Sequence, residues 1–137
     1  MGFVSGVGFE KSAALATTVA HDSHNLIVMG NSEDMMVRAA QAVVEAQGGV
    51  AVVTEAETVL LALPVAGLMS PEPYEEVAAR SEAIVEALGK AGCTLDHVFM
   101  TLSFIALVVL PELHLSDKGL VRVSEEGFDF VDLFDEG

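Results

Sequence analysis

Short apolar runs separated by polar or glycine-rich breaks organise this chain, and the spacing inside each run predicts its structure. The opening Gly2-Phe3-Val4-Ser5-Gly6-Val7-Gly8-Phe9 sets apolar residues among glycines too costly for a helix interior, so a glycine-interrupted strand is expected there. Residues 14–20, with β-branched Thr17, Thr18 and Val19, predict a second strand. Polar His21-Asp22-Ser23-His24-Asn25 interrupts it and Leu26-Ile27-Val28-Met29 resumes the apolar run, a strand, turn, strand pattern.

Asn31 or Ser32 can cap a helix whose first turn carries Glu33 and Asp34, where carboxylates complement the helix dipole. Met36, Ala40, Val43 and Val44 recur at helical spacing up to Gly48-Gly49, which predicts a helix over residues 32–47. Val50-Ala51-Val52-Val53 and Val59-Leu60-Leu61-Ala62-Leu63 flank Glu55-Ala56-Glu57 as a second hairpin, interrupted by Pro64. A second helix is expected from Ser70-Pro71 to about Lys90, closed by Gly92, with Tyr74, Val77, Ile84 and Leu88 on one face. Residues 100–110 are apolar with little alternation and read either as a buried strand or as a short buried helix, ended by Pro111. Ser116-Asp117-Lys118-Gly119 predicts a turn, residues 120–123 an edge strand, and residues 128–136 an acidic tail. Hairpin-length links in place of repeated crossovers make the expected fold class α/β in the α+β sense: a two-layer sandwich with a largely antiparallel mixed sheet and helices packed on one face.

A length of 137 residues with 52% hydrophobic content fits a single domain over residues 1–137. The mean hydropathy of +0.52 raises the question of a membrane span, but the longest apolar run, residues 104–110, is far too short for one. Six Lys plus Arg against 21 Asp plus Glu give a net charge of −15, which opposes attraction to a phosphate backbone or an anionic bilayer. Neither nucleic acid nor membrane is an expected partner. No basic segment followed by an apolar stretch opens the chain, so no secretory leader is expected. The lone Cys93 cannot form an internal disulfide, suits a reducing cytoplasm, and is read as a small buried apolar residue.

The densest polar cluster is His21-Asp22-Ser23-His24-Asn25. Two imidazoles three residues apart could converge on a cation, with Asp22 orienting one ring, which makes His21 and His24 the weak metal candidates. A full zinc site needs three or four ligands, however, and neither a paired-cysteine motif nor a helical histidine pair is present. The competing reading is a tight turn closed by Asp, Ser and Asn side chains, with solvated histidines beside them. His97 and His114 fall near element ends and are expected at the surface. Gly6-Val7-Gly8 lacks the third glycine of a dinucleotide loop, and Ser23 lacks the glycine context of an esterase nucleophile. Glu75-Glu76 and Glu125-Glu126 read as solvated faces, and Met35-Met36 and Met69 as core or interface filler.

Four ordered segments carry a more specific signal. They are Ala20-His21-Asp22-Ser23-His24-Asn25, Leu63-Pro64-Val65-Ala66-Gly67-Leu68-Met69-Ser70, Phe99-Met100-Thr101-Leu102-Ser103-Phe104, and Pro111-Glu112-Leu113 leading into Ser116-Asp117-Lys118-Gly119-Leu120-Val121. Together with the closing Phe130-Val131-Asp132-Leu133-Phe134, they resemble the carboxy-terminal domain of bacterial and archaeal adenine deaminases, over nearly the whole chain. The resemblance implies a parent hydrolase of the amidohydrolase type that converts adenine and water to hypoxanthine and ammonia. It further implies that the divalent metal, of manganese, iron or zinc type, and the groups that do the chemistry belong to a (β/α)-barrel. A barrel of about 250 residues cannot be contained in this chain, so no catalytic residue and no bound cofactor is expected within it.

The expected partners are that barrel domain, further copies of the same protein, and adenine as the parent's substrate. His21, Asp22, Ser23, His24 and Asn25 become candidates for the barrel's active-site entrance or a subunit interface, with Met100, Thr101 and Ser103 as a second stretch on the same surface. Two rivals remain: a stand-alone metal or small-molecule binding module acting through His21 and His24, and a purely structural assembly domain.

Overall fold

A computed structural model describes residues 1–134; the expected acidic tail runs past them, and Glu136 lies outside the described residues. The first unit comprises β1 (Ala13–Thr17), β2 (Ile27–Gly30), α1 (Glu33–Glu45), β3 (Gly49–Thr54), β4 (Thr58–Ala62) and α2 (Tyr74–Lys90). There follow α3 (Val98–Ile105), β5 (Glu112–Ser116), β6 (Gly119–Ser124) and β7 (Gly127–Val131). The strands form two antiparallel sheets, one ordered β2-β1-β3-β4 and a smaller one ordered β5-β6-β7. The expected α+β class with antiparallel pairing is present, as are the β1–β2 and β3–β4 hairpins. The ambiguous segment after Phe99 resolves as helix, because α3 buries Val98 and Leu102 against the core of the larger sheet.

The helices are divided between the two faces of the larger sheet, where gathering on one face was expected. Strand residues alternate sides. Leu15 stands opposite Val52 and packs with Ile84, Ala87 and Leu88 of α2 and with Val98 and Leu102 of α3. Ala14 and Ala16 stand opposite Val53 and Ala51 and pack against Ala39 and Val43 of α1. The physical reason is that β1 and β3 are apolar at both parities, so neither face of the sheet can be left to water. Small side chains on the α1 side let that helix approach closely. An added Cβ on Gly30 would meet Ala14 Cβ and Met36 Cγ, each at 2.8 Å.

Four expectations require correction. The opening segment is not a strand: Gly6 and Gly8 have φ of +86° and +89°, and the segment is strapped to the loop after α2. There Glu10 N–H and Lys11 N–H donate to Ala91 O, and Thr94 N–H donates to Val7 O. Residues 120–123 belong to β6, which is the central strand of the small sheet and not an edge. Part of the presumed tail supplies its outer strand, since Phe128 and Phe130 of β7 stand opposite Val123 and Val121. Finally, α2 begins at Tyr74 with Pro73 at its N-cap, so Pro71 precedes the helix.

Asn31 does not cap α1. Its side chain instead accepts from Ala13 N–H at 2.9 Å and donates to Lys11 O at 3.0 Å, tying the end of β2 to the start of β1. A comparable tie organises the other end of the sheet. Thr18 Oγ1 donates to Gly67 O at 2.6 Å and accepts from Gly49 N–H at 2.9 Å, while Leu63 N–H donates to Gly48 O. Together these bonds hold the 63–70 loop against β1 and β3. Thr18→Val keeps the shape but leaves the Gly67 carbonyl and the Gly49 amide unpaired, and should destabilise the domain by about 2 kcal/mol in chemical denaturation.

Candidate functional site

The turn between β1 and β2 forms where the β1 backbone leaves the ladder after Thr17. Val19 N–H donates to Thr17 Oγ1, and His24 N–H donates back to Ala20 O at 2.8 Å. The His24 ring closes the turn from outside, its Nδ1 accepting from Ala20 N–H at 3.3 Å. His24 adopts φ +49°, the left-handed region. The short polar loop thus satisfies its own backbone with side-chain atoms, as Asx- and His-rich turns do.

The turn is then anchored to α3. His21 N–H donates to Ser103 Oγ at 3.0 Å, and the His21 ring meets Phe104 edge-on with centroids 5.9 Å apart. The helix hands the chain to a loop of residues 106–111 held by His114, whose Nδ1 and Nε2 each lie 3.0 Å from a carbonyl oxygen, of Phe104 and Pro111 respectively. His114 therefore fixes the loop onto β5, a role that its isolation in the sequence did not reveal.

Two clefts result, with His21 on the rim of both. One, of about 360 Å³, brings Asp22, Ser23 and Asn25 together with Ser116 and Asp117 of the β5–β6 turn and with the 106–109 loop. The other, of about 220 Å³, lies beneath the turn between β1, β3, β4, α2 and α3, and Met100 and Ser103 line it. Leu63 reaches this second cleft, so segments from all four sequence motifs meet around His21.

Not every candidate arrives there. Thr101 is exposed on α3, and its hydroxyl donates to His97 O within the helix. His24 lines neither cleft, because its ring is turned back onto Ala20. Among the described residues, no group of three or more His, Cys, Asp and Glu side chains comes together to hold an ion. At the turn itself, His24 Nδ1 already receives an amide proton, which leaves only Nε2 of that ring free. Thr17 is a lining residue that sequence reasoning missed; a hydroxyl inside an otherwise apolar strand was the available signal.

Exposed apolar side chains occur both beside the site and on the small sheet. Met100, Phe104, Val108 and Val109 are exposed on α3 and the following loop, and Phe128 and Phe130 on β7. Exposed apolar patches of this kind occur at interaction and ligand-binding surfaces. Among the described residues, no helix is long and apolar enough to cross a membrane.

A family model for the adenine deaminase C-terminal domain matches residues 1–127. The adenine deaminase of Rubrobacter xylanophilus is 67% identical over 136 residues, covering 99% of this chain. Those of Ruegeria pomeroyi and Methanosarcina mazei are 46% and 45% identical over 134 residues each. The chain spans only 22% of the length of the first two of these proteins and 24% of the third.

Proposed function

The chain belongs to the adenine deaminase C-terminal domain family, and from that premise we propose that it serves a larger amidohydrolase by covering the entrance of its catalytic barrel. The larger protein hydrolyses adenine to hypoxanthine and ammonia, as in purine salvage. A divalent metal of manganese, iron or zinc type, held by the barrel, supplies the activation of water. The role of this chain is to present the 21–25 turn to the substrate side and to exclude solvent with the apolar surface around it. Assembly as a homo-oligomer in the cytoplasm completes the reading.

The observation that carries it is the convergence of the turn, the 106–109 loop and Ser116-Asp117 on one open cleft, rimmed by exposed Val108 and Val109. Polar groups that are fixed by backbone bonds yet lie in an apolar surround suit a surface that orients a neighbour. Asp22, Ser23 and Asn25 have the freest side chains for this, and His21 and His24 hold the turn that presents them.

The test is a chimera in which this chain replaces the matching part of the R. xylanophilus enzyme. Asn25→Ala removes a side chain that the turn presents and leaves in place the His24 bond that closes it. The expected outcome is a loss of about tenfold in kcat/KM, equivalent to about 1.4 kcal/mol, with assembly and melting temperature retained. Unchanged kcat/KM together with unchanged assembly would remove the turn from the proposed function.

A further inference from the structure

We propose that the cleft beneath His21 is a ligand site in its own right, for a small neutral molecule that carries hydrogen-bond acceptors on a flat apolar body. The inference is distinct from the role given to the turn above, because it concerns the half-open cleft beneath the turn, bounded by residues of this chain, and not the cleft that carries Asp22, Ser23 and Asn25.

Thr17 and Ser103 are the two buried polar residues among the described residues, 1% and 3% exposed, and both line this one cleft. Each hydroxyl oxygen is already used as an acceptor: Val19 N–H donates to Thr17 Oγ1 and His21 N–H donates to Ser103 Oγ, both at 3.0 Å. Neither hydroxyl proton has an acceptor among the described residues. A hydroxyl offers one donor as well as its lone pairs, and buried donors in native proteins find partners. Two spare donors therefore border a single space whose remaining lining is apolar apart from His21 and Ser81, and includes Val19, Leu61, Leu63 and Phe99.

The lining sets the class of ligand. No Asp, Glu, Lys or Arg side chain lines the cleft, so neither a phosphate nor an ammonium group would be compensated there. Its volume of about 220 Å³ is below the usual range for a nucleotide- or drug-sized ligand. An apolar cavity of about 150 Å³ accepts a benzene ring, so one or two fused rings match the space. Ring nitrogens or a carbonyl oxygen would receive the two hydroxyl protons, while Phe99 and the aliphatic walls would take the faces of the ring.

The probes are benzimidazole, which carries a ring-nitrogen acceptor, and indene, its hydrocarbon counterpart of similar shape. Each is titrated into the 137-residue chain while backbone amide signals are followed by NMR. The expected result is saturable binding of benzimidazole, with the largest shifts at Val19 and His21, whose amides donate to the two hydroxyls. Indene should bind about tenfold more weakly or worse. Benzimidazole has one acceptor nitrogen for the two hydroxyls, so the double variant Thr17→Val with Ser103→Ala should reduce it to the level of indene, whereas Thr17→Ser, which retains the hydroxyl, should preserve its binding. Because the comparison of the two probes uses the unaltered chain, it decides the matter even if Thr17→Val fails to fold. Equal binding of both probes, shifts centred outside the cleft, or no saturable binding by either would each overturn the proposal.

Discussion

Gly49→Ala is expected to cost the domain about 3–4 kcal/mol, whereas Gly119→Ala should cost about 1–2 kcal/mol. Both glycines hold a positive φ that side-chain-bearing residues rarely adopt, +143° at Gly49 and +133° at Gly119. Their surroundings differ. A Cβ added at Gly49 would lie 2.2 Å from the Leu61 carbonyl oxygen across the β3–β4 ladder, whereas one added at Gly119 would meet nothing within 4 Å. The first clash is with backbone and cannot be relieved by a rotamer change. Relief would require opening the Gly49↔Ala62 pair, where Gly49 also donates to Thr18 Oγ1. Gly119→Ala therefore measures the dihedral cost alone, and the excess at Gly49 measures the close approach. With a urea m-value of about 2 kcal/mol/M, the Gly49 variant should lose close to ~2 M in midpoint. Equal shifts for the two variants would mean that β3 and β4 do not approach each other at Gly49 as closely as the structure shows.

The need for Gly48-Gly49 to end α1 was legible in the sequence; its second use, admitting the 63–70 loop, was not. A doublet of glycines announces a stop, but the approach of Gly67 to Gly48 is a long-range contact with no local pattern. A similar split holds for the rest of the fold. Hairpins with polar turns were readable because their partners are adjacent in sequence. The placement of helices on both faces was encoded in Ala13–Thr17 and Gly49–Thr54, whose apolar residues fall at both parities, a signal that was available but outweighed by the antiparallel hairpins. The β5-β6-β7 meander was only partly readable: Glu112-Leu113-His114-Leu115-Ser116 and Phe128-Asp129-Phe130 do alternate, but the runs are short and the last one lies in a stretch whose acidic composition reads as a tail.

At the candidate site, the polar density of residues 21–25 located the turn, but residue type alone could not rank its members. His21 and His24 were equal candidates by type, yet the His24 ring is the one turned back onto the turn's own backbone. Ser103 was noticed through its motif, whereas Thr17 passed as an ordinary β-branched strand residue. Their common cleft exists only because α3 folds back over the end of β1, a tertiary event on which the sequence pattern is silent.

Leu15→Ala should destabilise the chain by about 3–4 kcal/mol, since a fully buried leucine loses both its transfer energy and the packing around the cavity left behind. The partition of the core makes a sharper claim about how that loss combines with others. Leu15 shares its cluster with Ile84 of α2, whereas Val43 of α1 packs in the cluster on the opposite face of the sheet. Ile84→Val, at about 1 kcal/mol, lets its neighbours relax into the same space that Leu15→Ala opens, so the pair should depart from additivity by about 0.5 kcal/mol or more. Val43→Ala, at about 2 kcal/mol, borders no shared cavity and should add to Leu15→Ala within about 0.5 kcal/mol. Double-mutant cycles by chemical denaturation measure both couplings. Strong coupling of Leu15 to Val43, with none to Ile84, would contradict the assignment of α1 and α2 to opposite faces. The cleft proposed for a small neutral ligand would then lose its wall, because it is bounded by the face of the sheet that Leu15, Val50 and α2 define.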